Sequence, residues 1–449
     1  MDPSRIARND RPPPRGPRPH VVPPPGIVPE RASRSARPAG DRPEALRRYN
    51  APMRLRRTLA WVALLYFAEG LPFGIAYDVW PVYFRVHGVS LKDIGLMSLL
   101  SLPWTWKMLW APLVDRWGSR QQWISACLTA LAAATLLIVP HDAAHPSWLL
   151  WAVLAAFTAA SATQDIAIDA WAVDVSTPES SGAINGVRVS AARIALLVGG
   201  GGVLFLAGTT GWTPLWLALA ALFLLLAVVA WVSPRAHLDP AKRRNPVAPV
   251  LRWLWRREMV PVMLFVLLFK LGDSLLGRMV KPFWVDRGYS LKEIGLISVT
   301  LGVALTIAGA LAGGWFVKRY GIFRALLWLG LAQAVTNLGY FAVAELALPR
   351  ESIYAASLLE SFTQGLGTSA FLSFLMNLCE KEHAATQYAL LSALFALSRD
   401  VGGAFSGIAV ERFGYGPFFA FTAAVSIPAL LLLPLVRPRI RDHAAAGSP

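Results

Sequence analysis

Ionisable side chains stand inside long apolar runs of this sequence. Glu69 and Asp78 interrupt LLYFAEGLPFGIAYDVWPVYF, Lys107 interrupts LPWTWKMLWAPL, and Asp165 and Asp169 interrupt SWLLWAVLAAFTAASATQDIAIDAW. Arg188, Arg193, Lys270, Asp273, Arg278, Lys281, Glu360, Arg399 and Asp400 lie in further apolar runs. A charge at membrane depth is costly and marks a functional site by default. Two kinds of chemistry are open to such groups. A carboxylate removed from water holds a proton more readily, and a neighbouring cation releases it, so Glu or Asp can carry a proton. A guanidinium in the same surroundings grips an anion through a planar fork of donors.

Spacing sorts these groups. Asp165 and Asp169 are one helical turn apart and share a face with Ser161. Two carboxylates so placed do not both ionise readily without cations. Lys107, Arg188 and Arg193 fall at comparable depth, so a charge cluster linking their helices is expected. It serves either as a proton or anion site or as an ion network that fixes packing. Lys107, Asp165 and Arg193 are assigned to function, and Asp169 and Arg188 to packing. At a rise of about 1.5 Å per residue, Glu69 and Lys270 each lie roughly 16 Å into their helices, near the middle of a core about 30 Å thick. Glu69, Asp165 and Asp273 are the candidate proton carriers. Lys107, Arg193, Lys270 and Arg399 are candidate solute contacts. No histidine lies deep in an apolar run: His87, His141, His145, His237 and His383 fall in loops or at helix ends. Coupling to protons therefore depends on carboxylates. Cys127 and Cys379 lack metal-ligand spacing, and neither a metal nor a cofactor is expected.

The elements that must position these groups are membrane helices. Of the 449 residues 55% are hydrophobic and 16% charged, and the mean hydropathy is +0.46, which excludes an ordinary soluble domain. About twelve apolar segments are legible, at 58–80, 93–114, 122–140, 147–172, 183–207, 213–233, 259–284, 293–316, 323–345, 352–378, 385–410 and 416–436. They are continuously apolar rather than alternating, so helices and not a barrel are predicted. The net charge of +16 resides mainly in residues 1–57, in 234–257 and in 437–442. All three fall on one side of a twelve-span topology. This asymmetry places both termini in the cytoplasm and accounts for the charge without nucleic acid. Residues 1–57 are rich in Pro and Arg and are expected to form a disordered cytoplasmic tail. They contain no apolar core of a signal peptide.

The chain repeats itself. GVSLKDIGL at 88–96 returns as GYSLKEIGL at 288–296, and SATQD at 161–165 as SFTQG at 361–365. DRWG at 115–118 matches KRYG at 318–321, and GWTPLW at 211–216 matches GYGPFF at 414–419. The expected organisation is a six-helix bundle at 58–233, a basic cytoplasmic linker at 234–257, a second six-helix bundle at 258–436 and a tail at 437–449. Ser90 and Ser290, each followed three residues on by an acid, are expected to cap the second helix of each bundle. Two parallel halves of six helices resemble the major facilitator superfamily. The turns APLVDRWGSR (111–120) and GWFVKRYGIFR (314–324) resemble its charged loop. This resemblance implies a gating role for Asp115, Arg116, Gly118, Lys318, Arg319 and Gly321; a plain tight turn accounts for the glycines equally well.

YFAEGLPFG (66–74), GVSLKDIGL (88–96), LPWTWKMLWAPLVDR (102–116) and ASATQDIAIDAWAVD (160–174) are similar to the AmpG-type muropeptide permeases and the related acetyl-coenzyme A transporters. The resemblance implies an all-α major facilitator fold, a bacterial inner-membrane location, and a monomer that moves a small-molecule solute with protons across the bilayer, with no enzymatic activity. The implied cargo is an anhydromuropeptide brought into the cytoplasm; a siderophore or coenzyme A thioester is the alternative. For such a cargo, Gln164 and Gln364 could bond sugar hydroxyls or neighbouring helices. Trp106, beside Lys107, could stack on a sugar ring, whereas Trp80, Trp104 and Trp110 read as interfacial anchors.

Overall fold

The computed structural model describes residues 55–176, 180–234, 256–379 and 384–440; the side chains of Asp115, Ser181 and 384–386 lie outside the described set. Most of the expected N-terminal tail, the basic linker and the end of the C-terminal tail also fall outside it. Among the described residues every regular element is helical. Ten helices are long and apolar enough to cross a membrane. They are α1 (Leu55–Val86), α3 (Arg120–Ile138), α4 (Trp148–Val175), α5 (Gly182–Thr210), α6 (Trp212–Trp231), α7 (Arg257–Asp286), α8 (Leu291–Tyr320), α9 (Ile322–Glu345), α11 (Ala384–Phe413) and α12 (Tyr415–Val436). Two further helical runs complete the order: α2, broken into pieces over 91–116, and α10 (Ser352–Leu378). Apolar runs of this length must pair their backbone groups internally once water is gone, and the helix does so within one segment.

Glycine fixes the corners. Gly88 and Gly288, Gly118 and Gly321, and Gly211 and Gly414 all have φ between 70° and 85°. A β-carbon makes this left-handed conformation costly. Each pair occupies matching positions of the sequence repeat, so the two copies turn at the same places. Just after the first pair, the Ser90 hydroxyl accepts from the Asp93 amide at 3.0 Å and that of Ser290 from the Glu293 amide at 3.2 Å. The Glu293 carboxylate returns the contact, accepting from the Ser290 amide at 2.8 Å. These bonds satisfy amides that the first helical turn leaves open.

α2 departs from regular helix. Leu91–Leu96 and Leu102–Trp106 are α-helical, but Met97–Ser101 and Lys107–Leu109 tighten to 3-10 geometry before Ala111–Arg116 resumes. Pro103 and Pro112 each remove an amide donor and crowd the preceding turn. α1 widens to a π turn over Ile75–Val79, α5 over Leu197–Gly202 and α8 over Ile294–Leu301. These three meet through glycine. A methyl group on Gly199 would lie 2.8 Å from the Leu71 carbonyl oxygen, and one on Gly201 2.7 Å from that of Gly295.

Two apolar cores hold the helices. One gathers Leu71, Trp80, Phe84, Phe157, Trp171, Trp216 and Phe223 with Phe283 and Trp284; the other gathers Phe265, Phe269, Leu326, Phe371, Phe374 and Leu433. Leu311, Leu431 and Val228 stay largely exposed on outward faces. Lipid tails are as apolar as these side chains, so such exposure carries no penalty in a bilayer.

Candidate functional site

The one-turn spacing on α4 and the packing of α1 against it bring acids together. Glu69 on α1 and Asp165 and Asp169 on α4 present carboxylate oxygens within 4.8 Å of one another. Lys107, on the irregular part of α2, forms an ion pair with Asp165 and lies 3.9 Å from Asp169. Arg188 on α5 reaches Asp169 at 2.9 Å and stacks 4.8 Å over the Tyr66 ring. The Tyr66 hydroxyl donates to Asp169 at 2.8 Å. Three carboxylates thus face two cations. Glu69 has no ion pair of its own among the described residues, and its Oε2 is buried with no hydrogen-bond partner. With every group ionised the cluster carries one uncompensated negative charge, which is costly away from water. One proton removes that excess. A small metal cation would also suit three oxygens at this spacing, but the Lys107 ammonium already supplies positive charge there.

A cavity of about 280 Å³ opens between α1 and the helices α7, α10 and α11, with Asp78, Lys270, Asp273, Arg278, Lys281 and Arg399 among its lining, together with Tyr77 and Gln364. Lys270 and Asp273 pair at 2.9 Å, both almost fully buried. Gln333 on α9 accepts from Lys270 at 2.9 Å and donates to Asp273. The Gln364 backbone carbonyl accepts from Lys270 at 3.4 Å. Lys281 meets Asp78 at 2.9 Å, joining α7 to α1.

Beyond this cavity the α1–α6 and α7–α12 sets are fastened at the end bearing Gly88 and Gly288. Arg85 holds Asp286 through Nε at 2.5 Å and Nη2 at 2.8 Å. The Tyr415 hydroxyl donates to the same carboxylate at 2.7 Å. The Glu411 carboxylate on α11 accepts from the Lys92 amide at the start of α2, at 2.8 Å, and Gly407 sits against the Leu91 carbonyl. At the opposite end Arg116, Lys318 and Arg319 are exposed.

The structure sorts the candidates read from sequence. It gathers Lys107, Asp165 and Glu69 in one cluster, with Asp169 and Arg188. It sets Lys270, Asp273, Gln364 and Arg399 on the cavity. Glu69 and Lys270, expected at matching depths, belong to different constellations and do not meet. Arg193 is exposed and makes no ion pair among the described residues, and Trp106 is half exposed. Gln164 is fully buried, with both amide atoms unpartnered, and is not on the cavity wall. Trp104 packs on Phe73 and Tyr77, and Trp80 is buried against Phe157. The Asp115 side chain is outside the described set. Gly118 and Gly321 form their turns, but the buried cation of the first turn is Arg120, 3.6 Å from Asp174. Sequence reading missed Tyr66, Tyr77, Gln333 and Arg120. Tyr66 alone had a signal, three residues before Glu69 and so on the same helical face.

Comparison with known proteins fits this geometry. The family model described as Major Facilitator Superfamily matches residues 62–399 and, starting 200 residues later, residues 262–448. The chain belongs to the major facilitator superfamily. Within that superfamily it is 35% identical over 394 residues to the anhydromuropeptide permease of Escherichia coli strain K12, covering 84% of this chain and 79% of that protein. It is 27% identical over 400 residues to the putative transporter AmpG 4 of Rickettsia felis, covering 84% and 96%. Among solved folds, a bacterial homologue of the human lysosomal transporter Spinster superposes with a TM-score of 0.71 at 16% identity, over 87% of this chain and 99% of that one. The nucleoside transporter NupG superposes at 0.67, also with 16% identity, over 86% and 100%. The protein is therefore an integral membrane transporter of the facilitator class, homologous to AmpG-type permeases, and works by alternating access.

Proposed function

We propose that the protein imports an anhydromuropeptide-like solute into the bacterial cytoplasm together with protons. The observation that carries this reading is the 35% identity to an anhydromuropeptide permease over 84% of the chain. Two features support it. The cavity lining holds more cations than acids, suited to a solute bearing carboxylates. The acid cluster on α1 and α4 has one carboxylate more than its cations, suited to taking up one proton. In this reading all twelve helical runs cross the inner membrane in two bundles of six, at 58–233 and 258–436, with α2 and α10 as spans despite their breaks or polarity. Both termini and the segment between the bundles are cytoplasmic, on the positive-inside rule. The Gly88 and Gly288 end then faces the periplasm, and its fastening by Arg85 and Asp286 makes this the inward-facing state.

In the transport cycle the acid cluster exchanges its proton as the bundles rock. Lys281 and Asp78 part when the periplasmic end opens. The test is uptake of a radiolabelled anhydromuropeptide by right-side-out vesicles carrying the protein, with and without a protonophore. Uptake abolished by the protonophore is expected. Absent uptake by inserted, folded protein would overturn the cargo, and uptake indifferent to the protonophore would overturn the coupling.

A further inference from the structure

Where α7 faces α11 in the cavity, two arginines share one acid. The guanidinium carbons of Arg278 and Arg399 lie over the Tyr77 ring, 4.3 Å and 5.1 Å from its centroid. A π face attracts cations and keeps the guanidinium groups oriented, and Phe73, stacked on Tyr77 at 4.1 Å, fixes the ring in turn. Asp400, fully buried, accepts from Arg399 Nε at 3.1 Å and from the Thr105 hydroxyl at 2.7 Å. Arg278 Nη2 stays 4.0 Å from that carboxylate.

The other charged side chains on the wall are paired, Lys281 with Asp78 and Lys270 with Asp273. Glu360 lies behind Gln364, whose amide points at it from 3.4 Å. Taken by itself, the group of Arg278, Arg399 and Asp400 has two cations to one acid. Two donors there are also unmet: Arg278 Nη2 and the Tyr77 hydroxyl are buried without a hydrogen-bond partner. Unmet donors and unbalanced charge are each costly in low dielectric. A single carboxylate cures both.

We infer that Arg278, Arg399 and Tyr77 form an anion subsite that takes one carboxylate of the solute. The carboxylate accepts from Arg278 Nη2 and from the Tyr77 hydroxyl. One excess positive charge matches a monoanion, whereas a phosphate dianion would leave a negative excess. The subsite also touches the contact between helix sets, because Asp400 on α11 holds Thr105 on α2. An occupant that draws the guanidinium groups away from Asp400 loosens that contact. The assignment rests on the reading of this cavity as the path of the solute.

The test is equilibrium binding of a tritiated anhydromuropeptide to the purified full chain, against the same compound with every carboxylate converted to carboxamide. Wild type is expected to prefer the acid by at least about tenfold, the size of one charge-assisted hydrogen bond. Arg278→Gln is expected to bind both forms equally. Tyr77→Phe, which keeps the ring, is expected to lose a several-fold part of the preference. Equal binding of both forms by wild type would overturn the subsite and leave the cargo standing. Binding of neither would overturn the cargo and the subsite together. A preference undiminished in Arg278→Gln would place the anion elsewhere. If Arg278→Gln fails to fold, as read by thermal unfolding, an undiminished preference in Tyr77→Phe overturns the subsite in its place.

Discussion

Asp286→Asn is expected to open the end of the molecule that bears Gly88 and Gly288. Arg85 makes two bonds to Asp286, at 2.5 and 2.8 Å, and Tyr415 adds a third at 2.7 Å. Charge-assisted bonds of this kind contribute about 1.5–3 kcal/mol when shielded. The Arg85 and Asp286 side chains are 23% and 25% exposed, so solvent screening lowers the contribution to about 1–2 kcal/mol. The neutral amide keeps a hydrogen bond from Tyr415 but loses the charge. At about 1.4 kcal/mol per factor of ten, the open population rises by roughly 5- to 30-fold. The assay is a pulsed spin-label distance measurement between Thr209 and Glu351, both exposed near this end. The labels require a background with Cys127 and Cys379, the two natural cysteines, replaced by Ala. Growth of a long-distance population is the expected result. Arg85→Gln should match it, and the double variant should add little, because one interaction is lost only once. Distance distributions identical to wild type would refute the assignment of this ion pair as a latch.

Three further outcomes are expected. Glu69→Gln removes the carboxylate that has no cation of its own, so accumulation driven by a proton gradient should vanish while counterflow exchange persists; unchanged accumulation would move the proton site elsewhere. Lys270→Met leaves Asp273 charged and buried, at a cost of about 3–5 kcal/mol. Thermal unfolding should show a large loss that Lys270→Met with Asp273→Asn largely recovers. Gly407→Ala puts a methyl group into the Leu91 carbonyl, and the same spin-label pair should report separation at that end without any change of charge.

Where the bilayer dictates structure, the sequence was easy to read. The segment expected at 147–172 is α4, Trp148–Val175, and that at 323–345 is α9, Ile322–Glu345, because an apolar run in lipid has no alternative to helix. The Ser90 and Ser290 caps were legible for a local reason: donor and acceptor are three residues apart. α2 was not, since the span expected at 93–114 breaks where two prolines act on a helix whose neighbours decide how far it yields. Depth along a helix proved a poor guide to partnership. Glu69 and Lys270 are expected at one depth, yet one reaches α4 and the other α9. Arg193 and Arg188 are five residues apart, and only Arg188 faces Asp169. Gln333 carried no signal, because its worth depends on Lys270 and Asp273, some sixty positions away and joined to it only by packing.

The matched glycine corners show one scaffold written twice, yet its two copies differ in charge. The three-acid cluster and its cations lie entirely on α1, α2, α4 and α5, while the two arginines over Tyr77 lie on α7 and α11. In the proposed cycle the two copies divide the labour. Inheritance can then act on them separately. In that cycle, substitutions on α7 and α11 would redefine the passenger while the acid cluster on α1 and α4 stays as it is, so the cargo could change without the means of driving it.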